Sequence, residues 1–105
     1  VNIPEKSENE LLAQLRQEGR NDPEAIYFHT PLCGTCALAE RMLGIVLETG
    51  TAMPVTKVNI NYAPVLRETW RISSVPCLVI LENGRPARIE YALHSVVDLH
   101  RWLKR

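Results

Sequence analysis

The chain has 105 residues, 46% hydrophobic and 23% charged, which is the composition of one ordinary globular domain over residues 1–105, large enough to fold without a disulfide staple or a structural metal. Twelve Lys and Arg balance twelve Asp and Glu, so the basic face of a nucleic-acid or anionic-membrane binder is not expected, and no apolar run approaches the roughly 20 residues of a transmembrane helix. Three cysteines are too few, and odd in number, for a secreted disulfide framework; with no signal-peptide pattern visible, a reducing cytoplasm is the expected location.

Ser7 followed by Glu10 forms a capping-box pattern, opening a helix that turns Leu11, Leu12 and Leu15 to one side, with Gly19 as its stop. Residues 1–5 are a candidate edge strand that Pro4 weakens. Asn21, Asp22 and Pro23 carry turn chemistry, and Ala25 to His29 reads as a short buried strand. From Cys33 the period changes to that of a helix, with Ala39, Met42, Leu43 and Val46 on one face and an end near Gly50. Val55 to Ile60 is a β-branched strand. Asn61 is expected to cap a third helix with Pro64 in its first turn and Val65, Leu66, Thr69 and Trp70 facing inward.

Pro76 to Leu81 is a continuous apolar strand expected to be buried on both faces. Asn83-Gly84 is a strong two-residue hairpin signal that returns Ala87 to Tyr91 antiparallel. Ser95 caps a last helix with Val96, Leu99 and Leu103 inward. The order is α-β-α-β-α-β-β-α, an α/β chain. Its strand–helix–strand units imply parallel pairing, and the hairpin adds one antiparallel edge, giving a mixed sheet with helices on both faces.

Cys33-Gly34-Thr35-Cys36 falls where the first strand ends and the second helix begins. A helix N-terminus presents unpaired N–H groups and about half a positive charge, which stabilises a thiolate there. The second cysteine is one turn deeper and within disulfide reach. Gly34 leaves room for close approach. The arrangement suits thiol–disulfide exchange. The same pair can also be half of a zinc or iron–sulfur site, with Cys77 and His29 as candidate further ligands. Val75-Pro76 lies directly before the apolar strand, a position where proline is tolerated. Cys77 itself is expected to be buried and structural. His29 is either an exposed strand-end histidine or, when protonated, a source of positive potential for Cys33. Glu40 and Arg41 read as solvated helix surface.

Phe28-His29-Thr30-Pro31-Leu32-Cys33-Gly34-Thr35-Cys36, then Lys57-Val58-Asn59-Ile60-Asn61, Val75-Pro76 and Asn83-Gly84, resemble the thioredoxin family from about residue 22 to 105. The resemblance implies the thioredoxin fold, a four-stranded mixed sheet flanked by helices. It implies a thiol–disulfide oxidoreductase that reduces protein disulfides, with Cys33 as nucleophile, Cys36 as resolving thiol and a cis bond before Pro76. Gly34, Thr35, Val75, Pro76 and Ala92 would contact the client, the backbone of Val75 pairing with an extended segment of it. Lys57 and His29 would tune thiol acidity.

Partners would be disulfide-containing proteins and, as electron donor, a reductase or a low-molecular-weight thiol. No metal or other cofactor, no nucleic acid and no membrane are expected, and the protein would be a monomer. A redox-inactive peptide-binding module of the same fold and a glutathione-dependent enzyme are the other readings.

The chain departs from the family pattern at four places. Leu32 stands where a tryptophan is usual, and Thr35 replaces a proline. Tyr27 replaces the buried aspartate that moves the proton of the second cysteine, which leaves Lys57 without its usual partner. Ala92 replaces a glycine near the groove. Without that aspartate, resolution by Cys36 is expected to be slow. With Thr35, the couple is expected to be more oxidising than the roughly −270 mV of thioredoxin.

Overall fold

The computed structural model describes residues 2–17, 19 and 22–105; the expected turn at Asn21 lies outside them. Strand β1 (Glu24–His29) occupies an inner position of a four-stranded sheet ordered β2-β1-β3-β4, with β2 Val55–Asn59, β3 Cys77–Glu82 and β4 Arg85–Glu90. Alternation along β1 divides the core. Ala25 and Tyr27 face one side, where α2 (Gly34–Leu47) and α4 (Val96–Leu103) supply Ala39, Leu43, Val46, Leu99 and Leu103. Ile26 and Phe28 face the other, where α1 (Glu8–Leu15) and α3 (Pro64–Thr69) supply Leu11 and Leu66. Residues 77–81 of β3 are buried throughout, as expected for a strand covered on both faces.

β1 pairs in parallel with β2 but antiparallel with β3, so the parallel pairing expected of the β2–α3–β3 unit does not form. The length of α3 is the reason. Six helical residues rise about 9 Å, too little to carry the chain back along a six-residue strand of about 20 Å. β3 therefore starts at the end of the sheet where β1 and β2 stop. Asn83 (φ 55°) and Gly84 (φ 74°) take the two positive-φ positions of a tight hairpin, and β4 returns antiparallel as an exposed edge. Pro86 sits at the register shift between Ile80 and Leu81, an edge position that lacks no ladder donor.

The capping box at Ser7 and Glu10 is present, as is the Ser95 cap, which accepts the amide of Asp98. Residues ahead of α1 contribute one parallel bridge, Glu5 to Lys57, rather than a strand; the Lys57 amide donates to Pro4 O and the Lys6 amide to Lys57 O. The third helix differs from expectation. Val65 and Thr69 are exposed, and only Leu66 is buried, with Trp70 partly so. Six residues give too little helix for two inward rows. Asn61 does not cap it: the Asn59 side chain accepts the Asn61 amide, forming a 3-10 turn over Ile60–Tyr62. Ala63, which has no capping group, becomes the N-cap.

The missing cap comes from another helix. Glu8, 8% exposed, reaches across from the first turn of α1, and its Oε2 accepts the buried amide of Leu66 at 2.7 Å. Removing that acceptor strands a buried donor. Glu8→Ala is expected to lower the unfolding free energy by about 1–3 kcal/mol with an unchanged denaturant slope, and Glu8→Gln by less, as read from urea unfolding curves.

Candidate active site

The strand order gathers the residues singled out in the sequence at one end of the sheet. β1 ends at His29, and the chain turns through Thr30, Pro31 and Leu32 to Cys33, the N-cap of α2. Asn61 Nδ2 donates to Thr30 Oγ1 at 2.8 Å, fastening this turn to the loop after β2. Because β3 starts at the same end, Val75 and Pro76 lie there as well, joined by a cis peptide bond. β4 finishes alongside, and Tyr91 Oη accepts the Ser73 amide at 3.2 Å, tying the proline loop to the segment that carries exposed Ala92.

Cys33 and Cys36 form a disulfide, with 5.2 Å between their Cα atoms. Their surroundings are unequal. Cys36 is 3% exposed, within the hydrophobic core, whereas Cys33 is half-buried and Gly34 and Thr35 are exposed. The Cys36 amide donates to Cys33 Sγ at 3.2 Å, so a sulfur does the work a serine or aspartate oxygen usually does at a helix start. Thr35 Oγ1 lies 3.4 Å from the same sulfur; a disulfide sulfur has no hydrogen to give, so the hydroxyl donates. Leu32 precedes the pair in a left-handed conformation (φ 60°) with its side chain fully in solvent.

Beneath the disulfide lies a polar cluster that the sequence did not foretell. Tyr27, fully buried, donates its hydroxyl to Cys36 O at 2.6 Å. Burial, with the Glu40 carboxylate nearby, pushes the phenol well above its ordinary pKa, so Tyr27 is a fixed donor and not a base. Lys57 stands opposite Tyr27 in the β1–β2 register, and its Nζ donates to Glu40 Oε2 at 2.9 Å. Lys57 has thus kept a carboxylate partner, taken from α2 instead of β1. Glu40 is correspondingly only partly exposed, not the open helix surface expected of it. The available clue was spacing: Glu40 follows Cys36 by four residues and shares its helix face.

His29 stacks on Tyr27 (ring centroids 5.9 Å apart), with its side chain only 14% exposed and its Nε2 4.0 Å from Glu5. Burial lowers its pKa. The imidazole is therefore neutral near pH 7 and adds no positive charge to the site, nor is it the exposed strand-end residue considered above. Cys77 is fully buried, and burial raises its thiol pKa to about 11. It faces the α1/α3 core with Phe28, on the sheet face opposite Tyr27. Cys77 and His29 thus project from opposite faces. Among the described residues no group of three or more His, Cys, Asp or Glu could hold a metal ion, and no helix is long and apolar enough to cross a membrane.

The thioredoxin family profile matches residues 3–105. The thioredoxin-like protein YusE of Bacillus subtilis is 37% identical over 84 residues, covering 80% of this chain and 79% of its own. Thioredoxin of Mycobacterium tuberculosis is 26% identical over 69 residues, 65% of this chain and 60% of its own. A mutant thioredoxin from Halobacterium salinarum superposes with a TM-score of 0.81 at 20% identity, over 97% of this chain and 88% of that one, which establishes the thioredoxin fold. Together with the paired cysteines at the start of α2, these likenesses make the chain a thiol–disulfide oxidoreductase in general type and a member of the thioredoxin family.

Proposed function

We propose that this chain, as a single thioredoxin-like unit, reduces disulfides of protein clients. The observation behind it is the asymmetry of the pair: a half-buried sulfur capping a helix N-terminus, joined to a buried one a turn deeper. In the reduced protein, the N–H groups and dipole of α2 favour the Cys33 thiolate. That thiolate attacks one sulfur of the client disulfide; the Cys33–client bond forms, the client's S–S bond breaks, and the other client sulfur leaves as thiolate. Cys36 then attacks Cys33. The intramolecular disulfide forms, the second client sulfur departs, and two electrons have passed to the client.

Exposed Gly34 and Thr35, with Val75, Pro76 and Ala92 across the cleft, would line the client's path, an extended client segment pairing with the Val75 backbone. A cytoplasmic reductase or a low-molecular-weight thiol would return the electrons. The alternative of a redox-inactive binding module finds no support in a pair that retains both sulfurs in bonding range, and the metal-site alternative none in the described residues.

Cys36→Ser should arrest the reaction at the first step, accumulating a client mixed disulfide seen as a reductant-sensitive mass shift; adding Cys33→Ser should abolish it. Loss of model-disulfide reduction in neither variant would refute the assignment. Thr35→Val tests the hydroxyl bonded to Cys33. The same hydroxyl bonds a charged thiolate more strongly than the disulfide sulfur, by about 0.5–1.5 kcal/mol, and this makes the wild-type couple more oxidising. Its removal should raise the Cys33 pKa and shift the potential about 10–30 mV more negative, measured by equilibration with glutathione.

A further inference from the structure

The second step requires Cys36, whose sulfur is buried, to lose a proton, and Tyr27 cannot take it. We infer that Glu40, held in place by Lys57, is the proton acceptor for Cys36. The inference rests on the reading of Cys33 as nucleophile and Cys36 as resolving thiol, and on three independent features of the cluster.

First, Glu40 lies one turn beyond Cys36 on α2. Residues four apart share a helix face, so Glu40 stands on the face of α2 that carries Cys36. Second, Glu40 is anchored from the sheet: Lys57 Nζ bonds its Oε2 at 2.9 Å, and Lys57 is itself fixed by its register opposite Tyr27 and by backbone bonds to Pro4 and Lys6. One carboxylate oxygen is thereby engaged, and Oε1 is left for a proton. Third, Tyr27 connects the two ends of the cluster. Its hydroxyl holds Cys36 O, and its ring is near enough for the Glu40 charge to act on it.

The groups facing Glu40 are Lys57 from β2, Tyr27 and neutral His29 from β1, and, on its own helix, Arg41 and Glu48 around an open depression also lined by Ala37 and Gly44. That depression gives water access to the carboxylate. The proton of the Cys36 thiol passes through water to Glu40 as the Cys36 sulfur attacks Cys33. The Cys33–client bond breaks, the client thiolate leaves, and Glu40 later returns its proton to solvent. General-base assistance of this kind accelerates proton removal by orders of magnitude. Because the base acts only in the second step, the first is untouched.

The test is single-turnover kinetics on a preformed mixed disulfide between Cys33 and a small chromogenic thiol, with formation and resolution timed separately in the wild type and in Glu40→Gln. The glutamine keeps an oxygen for Lys57 and removes the base. Formation and Cys33 alkylation should be unchanged. Resolution at pH 7 should slow by at least about tenfold and approach the wild-type rate as pH rises, because hydroxide then takes the proton that Glu40 no longer accepts; Glu40→Asp should restore part of the loss. Equal resolution rates across pH would overturn the inference, as would a slowing that high pH does not relieve, since that marks disturbed packing. Failure of Cys33 to form any mixed disulfide would instead overturn the underlying assignment and this inference with it.

Discussion

A single hydrogen bond, from the amide of Cys36 to the sulfur of Cys33, joins the chemistry of this protein to its fold. It makes Cys33 the cap of α2, so the reactive atom sits where unpaired peptide N–H groups concentrate. Everything that fixes α2 then fixes the sulfur. The helix is bedded on Ala25 and Tyr27 of β1 through Ala39, Leu43 and Val46, and β1 is buried on both faces between β2 and β3. The cysteine is thus held by an element packed on the buried central strand, although the turn bearing it is open to solvent.

Much of this was legible in the residues. Hydrophobic spacing located α2 and α4, capping residues located the starts of α1 and α4, and Asn83-Gly84 located the hairpin, because each signal is local and each element is long enough to repeat it. Legibility failed where the deciding contact joins distant parts of the chain. Nothing near residue 63 says that Glu8 supplies the acceptor for α3, and nothing in a six-residue helix distinguishes an inward Leu66 from outward Val65 and Thr69. The direction of β3 is hidden for a related reason: strand–helix–strand order carries no record of whether the helix is long enough to bring the chain back.

The site divides along the same line. The cysteines, their spacing and the proline before β3 are local features of the sequence. The Glu40–Lys57 pair joins a helix to a strand and leaves no local mark. The family resemblance leads to the expectation of a missing aspartate in β1 and a Lys57 without a partner. The three-dimensional arrangement places at position 27 a tyrosine that grips the helix backbone, while a carboxylate of α2 faces Lys57. A network can keep its charges while exchanging the elements that bear them, because electrostatics depends on separation and not on chain order.

Leu32 bears on how such a protein meets its surroundings. A leucine held in a left-handed conformation, wholly in water, is opposed by both its backbone and its side chain, since either glycine or a polar residue would be easier to accommodate. The unfavourable hydration is recoverable. Any surface that closes over this side chain regains roughly 1.5–3 kcal/mol, about a ten- to hundredfold gain in affinity, one residue from the sulfur that forms the covalent bond. The attraction is built into the free surface, and the gain lasts only while the two bodies touch.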